Sequence, residues 1–185
     1  MKTAFTKLLA AAALVCAAAT AQAQNYQQGD KLLNVGIGLG STFLSSGLKS
    51  TLPPVGASFE YGFTDNISSG AYVGYAGASH EMATFGGEWK WKYSYVIVGA
   101  RGSFHFALTD KLDTYAGAML GYNNAKITTT KPSGYTGPDL PAAEAGGVIW
   151  GGHVGARYYF TENVGAFGEL GYGIAWLNLG LTAKF

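Results

Sequence analysis

The chain has 185 residues, of which 48% are hydrophobic and only 12% are charged, and its formal net charge at pH 7 is +1. A soluble domain usually carries about 25% charged residues, and a disordered chain combines high net charge with few aromatic residues. Neither class fits a chain with 14% aromatic residues and 28 glycines, and the balanced charge gives no support for nucleic-acid binding.

The first 23 residues have the pattern of a secretory leader. Two lysines precede an apolar stretch over 8–19 that is too short to cross a bilayer as a helix, and Ala-Gln-Ala at 21–23 matches a small-x-small cleavage site. We predict a signal peptide over 1–23 and one mature domain over 24–185. Cleavage removes Cys16, so no thiol remains for a disulfide, a nucleophile or a metal site.

Apolar residues alternate with small or polar residues along most of the mature chain. Successive side chains of a strand point to opposite faces, so each alternating segment predicts a strand with one apolar face. The segments give eight strands, at 31–42, 55–63, 67–78, 91–107, 112–123, 147–160, 164–174 and 177–185.

Three short segments share one turn pattern: an apolar residue, Thr, an acid, a polar residue and a second apolar residue. They lie at 63–67, 108–112 and 160–164. They alternate with longer, more polar connections near 43–54, 78–91 and 124–146, and a fourth connection of about two residues falls between Ile174 and Leu177. Short turns at one end and longer loops at the other are typical of bacterial outer-membrane β-barrels.

Nearly every charge within a predicted strand falls on the face that carries small residues, while the apolar face is uncharged in its central part. A soluble barrel would show its charges outside, so this pattern favours a barrel with lipid outside and a polar interior. The predicted interior network is Glu60, Arg101, His105, Asp113, His153, Arg157, Glu169 and Lys184. The turn register places Arg157 diagonal to Glu169 and Asp113 diagonal to His105. We interpret the network as a structural plug, with an ion path or proton relay as the alternative.

Aromatic residues recur on the apolar face just before the short turns. They are Tyr61, Phe63, Phe104, Phe106, Tyr158 and Phe160. Such rings favour the membrane–water interface, so we predict an aromatic girdle at this rim. Farther along, Trp89, Trp91 and Tyr93 alternate with Lys90 and Lys92. We expect these rings in the acyl boundary at the opposite rim, with amines that are solvated or near lipopolysaccharide phosphates.

The F-T-D-N and F-T-E-N turns and the final segment L-N-L-G-L-T-A-K-F at 177–185 resemble a known family. They are similar to the small outer-membrane barrels of the outer-membrane protein X and OmpA transmembrane type, and to the outer membrane protein β-barrel domains of Bacteroidetes-type bacteria. The resemblance implies an eight-stranded antiparallel up-and-down transmembrane β-barrel in the outer membrane, a monomer in contact with outer-membrane lipids and lipopolysaccharide. It also implies an assembly signal read by the barrel-assembly machinery, carried by Leu177, Leu179, Leu181 and Phe185.

The function we expect is non-enzymatic: envelope structure and surface interaction, with no cofactor, metal or catalytic residue. A narrow porin-like channel is the second hypothesis, and a lipid A-modifying enzyme is the third. Ser103 and His105 have a suitable spacing for the enzyme, but the predicted register faces them inward. Ser79-His80-Glu81 are adjacent and do not converge easily, and no oxyanion-stabilising group accompanies them.

Overall fold

The computed structural model describes residues 26–43, 48–84, 87–138 and 141–185, so the predicted signal peptide at 1–23 lies outside the described part of the chain. Eight strands form one closed antiparallel barrel in which each strand pairs with the next and β1 pairs with β8. The strands are β1 Lys31–Ser41, β2 Lys49–Gly62, β3 Ile67–Thr84, β4 Gly87–Thr109, β5 Leu112–Thr130, β6 Ala143–Tyr159, β7 Val164–Gly171 and β8 Ala175–Lys184. In the described residues, no helix is long and apolar enough to span a membrane.

The three short turns lie where the repeated pattern predicted them, and the predicted register is confirmed. Glu60 pairs with Gly70 across the first turn, and Tyr158 pairs with Ala166 across the third. In the first turn the Thr64 hydroxyl accepts a hydrogen bond from the backbone N–H of Ile67 at 3.0 Å. The recurring threonine therefore stabilises the turn by a local side-chain to backbone bond.

The predicted long connection at 78–91 is wrong, and strands extend into part of the connections predicted at 43–54 and 124–146. β3 continues to Thr84 and β4 begins at Gly87, so the segment expected to be a loop at 78–91 is mainly a β-hairpin. β5 and β6 likewise extend into the segment expected at 124–146. Backbone pairing needs no apolar side chains, so a hairpin that rises out of the membrane can be polar on its surface and remain a regular ladder.

The connection between β7 and β8 also differs from the prediction. β7 ends at Gly171 and β8 begins at Ala175, so the connection is residues 172–174. Ile174 and Ala175 are fully buried, and the backbone N–H of Ile174 donates to the Tyr72 hydroxyl at 3.4 Å. The connection folds into the mouth of the barrel because Ile174 is buried there in an apolar cluster. A loop that stayed on the surface would leave this side chain in water.

This apolar cluster fills the end of the barrel opposite the short turns. Its buried members are Tyr72, Ala76, Ile97, Met119, Ile174 and Ala175. The partly buried Phe43, Tyr95 and Ile149 pack against it. We call this cluster, with the three partly buried residues, the apolar lid.

The outer surface of the barrel is apolar. Large hydrophobic side chains are exposed on it, among them Trp150 at 78%, Val148 at 71% and Leu181 at 64%. Along β4, the outward side chains from Phe104 to Ser94 carry no charge, and those beyond Ser94 are charged. The uncharged stretch matches the roughly 9–11 residues of a tilted membrane-spanning strand. A continuous exposed apolar band of this kind is stable against lipid and not against water.

Candidate functional site in the barrel interior

Arg157 lies at the centre of a buried ionic network and is itself fully buried. Its Nη1 donates to Asp113 Oδ2 at 2.8 Å, its Nη2 to Glu60 Oε1 at 2.9 Å, and its Nε to Asn34 Oδ1 at 3.1 Å. The guanidinium also lies 4.0 Å from the centroid of the Tyr115 ring. Each nitrogen of this cation therefore has an anionic or polar acceptor, and the guanidinium also contacts an aromatic ring, which offsets the cost of removing it from water.

Arg101 forms the second half of the network. Its Nη2 donates to Glu169 Oε2 at 2.6 Å and its Nη1 to Glu169 Oε1 at 3.3 Å, a bidentate pair. Tyr115 donates its hydroxyl to the same carboxylate at 2.9 Å. Arg101 Nε lies 3.4 Å from Glu60 Oε1, an ion-pair distance without hydrogen-bond geometry. Glu60 thus contacts both arginines and joins the two halves.

The register places Arg157 diagonal to Glu169, as predicted, but the charged groups of these two side chains bind other partners. Glu169 on β7 binds Arg101 on β4, and Arg157 on β6 binds Glu60 on β2. A sequence register compares only strands that are neighbours in the sheet, whereas the interior of an eight-stranded barrel is narrow enough for side chains to meet across it.

The two interior histidines are held by serines and by an acid. His105 Nδ1 lies 2.8 Å from Asp113 Oδ1, the contact that the register predicted, and its Nε2 lies 2.8 Å from Ser68 Oγ. His153 Nε2 lies 3.0 Å from Ser103 Oγ, which donates to Glu60 at 2.7 Å. Both histidines therefore belong to the same hydrogen-bonded network as the arginines.

Ser68, His105 and Asp113 reproduce the hydrogen-bond order of a Ser-His-Asp triad, which the sequence did not reveal. The Ser68 hydroxyl is fully buried and donates to Glu60 Oε2 at 2.8 Å, so its proton is directed to a carboxylate and away from the imidazole. The triad also lies in the half of the barrel near the short turns. This geometry is that of a packed polar core and not of an accessible nucleophile.

The segment before β1 closes the short-turn end, a feature that the sequence did not predict. Tyr26 is 1% exposed, and its ring stacks on His105 with centroids 3.8 Å apart and an interplanar angle of 9°. Burial raises the pKa of the Tyr26 hydroxyl above its ordinary value. Gln28 and Gly29 tie the segment to the first turn, where Gly29 donates its N–H to the Gly62 carbonyl at 2.9 Å.

Gly62 makes room for this N-terminal segment. A Cβ at that position would lie 2.8 Å from the Gln27 carbonyl oxygen and 2.9 Å from the Tyr26 hydroxyl. Lys184, the last member of the predicted network, lies at this mouth with its side chain 16% exposed, and its Nζ is 3.9 Å from Asp30 Oδ2. Lys184 is thus a rim residue, while the other seven predicted network residues are buried.

The interior is filled by two layers. The polar network and Tyr26 occupy the short-turn half, and the apolar lid occupies the other half. Beside the Arg101–Glu169 pair lies a void of about 10 Å³ lined by Asn34, Arg101, Phe167, Glu169 and Asn178 among others. A space of this size accommodates about one water molecule. Among the described residues, no group of three His, Cys, Asp or Glu is arranged to hold a metal ion.

A family model for the outer membrane protein β-barrel domain matches residues 8–183. The chain belongs to this outer membrane protein β-barrel family. It is therefore an outer-membrane protein, and its short turns correspond to the periplasmic end and its long hairpins to the extracellular end.

Solved outer-membrane barrels share the fold. The OprG structure from Pseudomonas aeruginosa superimposes with a TM-score of 0.58 at 14% identity, covering 89% of this chain and 99% of that one. The N-terminal barrel of OprF from the same organism gives a TM-score of 0.51 at 20% identity, with 86% and 98% covered. Ail from Yersinia pestis, in complex with the heparin analogue sucrose octasulfate, gives a TM-score of 0.51 at 14% identity, with 86% and 100% covered. No curated protein sequence matches the chain significantly.

The predicted rim aromatics lie on the outside of the outer-membrane barrel at its periplasmic end. Tyr61 and Phe63 form an edge-to-face pair with centroids 5.2 Å apart, and Tyr158 and Phe160 form another at 5.8 Å. Phe104 and Phe106 stack at 6.5 Å, and the six rings are partly or largely exposed. In the predicted assembly segment, Leu179, Leu181 and Phe185 are also exposed on the outer face, and Leu177 is partly exposed.

The structure corrects the expectation for the opposite rim. Trp89 and Trp91 share the face of β4 that carries the fully buried Ile97, so they point toward the barrel axis and not into the acyl boundary. Lys90 and Lys92 point outward from the same strand. The predicted strand began only at residue 91, so Trp89 and Lys90 fell in an expected loop and the inward direction of the rings was missed.

Proposed function

We propose that this protein is a non-enzymatic outer-membrane barrel that is closed to solutes and that acts in envelope structure and in surface interaction through its extracellular hairpins. The observation that carries the proposal is the filled interior. The buried ionic network closes the periplasmic half and the apolar lid closes the extracellular half.

The chemistry of the network supports a structural role. The two guanidinium groups and the three carboxylates pair with each other inside the barrel, so a passing ion would have to break these pairs. Separating buried charged partners costs several kcal/mol per pair, which a small solute does not repay. The apolar lid presents a second barrier, since its mainly aliphatic and aromatic groups do not replace the water that a permeating ion would lose.

The lipid A-modifying alternative finds little support in the geometry. Such an enzyme needs a nucleophile that meets lipid in the outer leaflet. The arrangement of Ser68, His105 and Asp113 faces the barrel interior near the periplasmic end, and Ser103 is held between Glu60 and His153. Mass spectrometry of lipid A from cells with and without the protein tests this point; a mass shift that depends on the protein would overturn the non-enzymatic proposal.

Conductance in planar bilayers tests the closed interior. We expect the purified wild-type protein to give no reproducible single-channel steps. A Lys126→Gln variant, which removes an exposed amine 3.3 Å from Glu144 on the outer surface, serves as the matched control and should also be silent. Reproducible wild-type steps that disappear when Arg101 or Glu60 is replaced would refute the closed barrel and establish the narrow channel.

The partners follow from the location. We propose that the apolar band contacts outer-membrane lipids, that the outward lysines near 90–92 lie close to lipopolysaccharide phosphates, and that β8 is read by the barrel-assembly machinery. We further propose that the protein is a monomer. Elution of the detergent-solubilised protein at the mass of one chain would support the monomer, and a stable dimer would contradict it.

A further inference from the structure

The hairpin of β3 and β4 rises well past the apolar lid. Tyr95 marks the lid, where its ring stacks on Phe43 with centroids 5.3 Å apart. β4 continues from Tyr95 back to Gly87, on the order of 27 Å of strand at roughly 3.4 Å per residue. On the other side of the barrel, β1 ends at Ser41 and β8 begins at Ala175, at the level of the lid. The hairpin therefore forms a wall on one side of the extracellular mouth.

The inner face of this wall is aromatic. We call Trp89, Trp91, Tyr93, His80 and Tyr135 the aromatic ledge. Trp89, Trp91 and Tyr93 lie on the same face of β4 as Ile97, and His80 pairs with Trp91 across the hairpin. All five side chains are partly exposed or exposed, and Tyr135 is 41% exposed.

The rings of the ledge pack against one another. Trp89 and Trp91 are stacked, at an interplanar angle of 21° with centroids 6.3 Å apart. Tyr135 stands at 71° to Trp89 with centroids 5.0 Å apart. His80 lies 6.0 Å from Trp91 at 37°. The ledge therefore combines aromatic ring faces with the polar groups of tyrosine, histidine and indole side chains in one cluster.

We propose that the aromatic ledge binds the pyranose rings of an external saccharide. A sugar ring with equatorial hydroxyls has two C–H faces, which pack on flat aromatic surfaces, and a polar edge, which needs hydrogen-bond partners. Trp and Tyr supply rigid amphipathic contact area of this kind at low entropic cost. A lipid chain would be better matched by the branched aliphatic residues that cover the membrane face of the barrel.

The direction of the rings identifies the source of the saccharide. The sugars of neighbouring lipids lie beside the barrel and meet the outward face of β4, which carries Lys90 and Lys92. Trp89 and Trp91 face the barrel axis on the extracellular side of the apolar lid, so a saccharide reaches them from the external medium. The inference rests on the proposed surface-interaction function and specifies its ligand.

The test is binding of cellohexaose, a neutral probe with equatorial hydroxyls, to the folded full-length mature protein in detergent micelles. Intrinsic tryptophan fluorescence and saturation-transfer NMR report the contact. We expect saturable binding, with contacts to the C–H protons of the sugar, and a loss of affinity of about tenfold in Trp91→Ala. Trp91→Tyr, which keeps a ring, should retain most of the affinity.

The matched control is Lys90→Gln with Lys92→Gln, which changes the outward face of the same strand and should leave the affinity within about twofold. Heat-modifiable gel migration shows that each variant is folded. Absence of wild-type binding, or equal binding by folded wild type and Trp91→Ala, would overturn the proposal. Loss of binding only in the lysine variants would assign the ligand to the outward face. These outcomes are independent of the conductance test, so failure of the saccharide site is distinguishable from failure of the closed barrel.

Discussion

Replacing Arg157 by Met tests whether the interior network holds the barrel together. Methionine keeps much of the length of the side chain but removes the cation that binds Glu60 and Asp113 at 2.9 and 2.8 Å. Asn34 also loses the donor to its side-chain oxygen. The variant leaves two buried carboxylates with weaker compensation and so destabilises the folded barrel.

The magnitude follows from what each acid retains. Glu60 keeps the hydroxyls of Ser68 and Ser103 and the more distant Arg101 Nε at 3.4 Å, while the Asp113 carboxylate keeps the His105 imidazole at 2.8 Å. Removing one partner of a buried ion pair costs about 3–5 kcal/mol, since the remaining charge stays buried without compensation. We therefore expect Arg157→Met to lower the free energy of unfolding by about 4 kcal/mol.

The assay is urea-induced unfolding in lipid vesicles, followed by tryptophan fluorescence and by heat-modifiable gel migration. Lys126→Met is the matched control, because Lys126 and Glu144 form an exposed ion pair whose loss should cost about 0–1 kcal/mol. A double-mutant cycle of Arg157→Met with Glu60→Gln then isolates the coupling between the two residues, which we expect to be on the order of 1–3 kcal/mol.

A loss in Arg157→Met no larger than that in Lys126→Met would refute this reasoning. The same holds if the cycle gives no coupling between Arg157 and Glu60. In that case the interior charges would be sufficiently hydrated to stand alone, and the argument for a closed interior would lose its energetic basis.

Deleting Phe185 should lower the yield of membrane-inserted protein in cells, because its backbone N–H and C=O pair with Lys31 where β8 closes the barrel; insertion at the wild-type level, measured in outer-membrane fractions, would count against this. Tyr26→Ala should expose the periplasmic end and speed hydrogen exchange of the interior amides near it, measured by mass spectrometry; unchanged exchange would mean that the N-terminal segment does not seal the mouth. Gly70→Ala should destabilise the barrel by about 1–3 kcal/mol, since the new Cβ would collide with the Phe59 carbonyl oxygen. Gly147→Ala, whose new Cβ would have nothing within 4 Å, is the control, and equal unfolding midpoints for the two variants would contradict the close packing at Gly70.

Much of the fold is determined by local patterns in the sequence. Period-2 alternation separates a face that meets lipid from a face that meets the interior, and a shift by one residue would exchange these faces. The Thr-acid-polar turns fix the register on both sides of each turn, which is why the pairing of Glu60 with Gly70 could be predicted. The ends of the strands opposite the short turns could not be predicted, since polar strand extensions outside the membrane have no continuous apolar face to mark them.

The ion pairs that cross the barrel are decided by the tertiary structure alone. That Glu60, Arg101 and Arg157 face inward follows from alternation, but the contacts of Arg101 with Glu169 and of Arg157 with Glu60 join strands that are not neighbours in the sheet. The same closure places the Tyr26 ring on the His105 imidazole and buries Ile174 in the apolar lid. Alternation is a property of one strand, whereas these contacts exist only after β1 has paired with β8. The sequence by itself therefore determined which face of each strand meets lipid and which meets the interior, and the closed barrel decided which side chains meet inside.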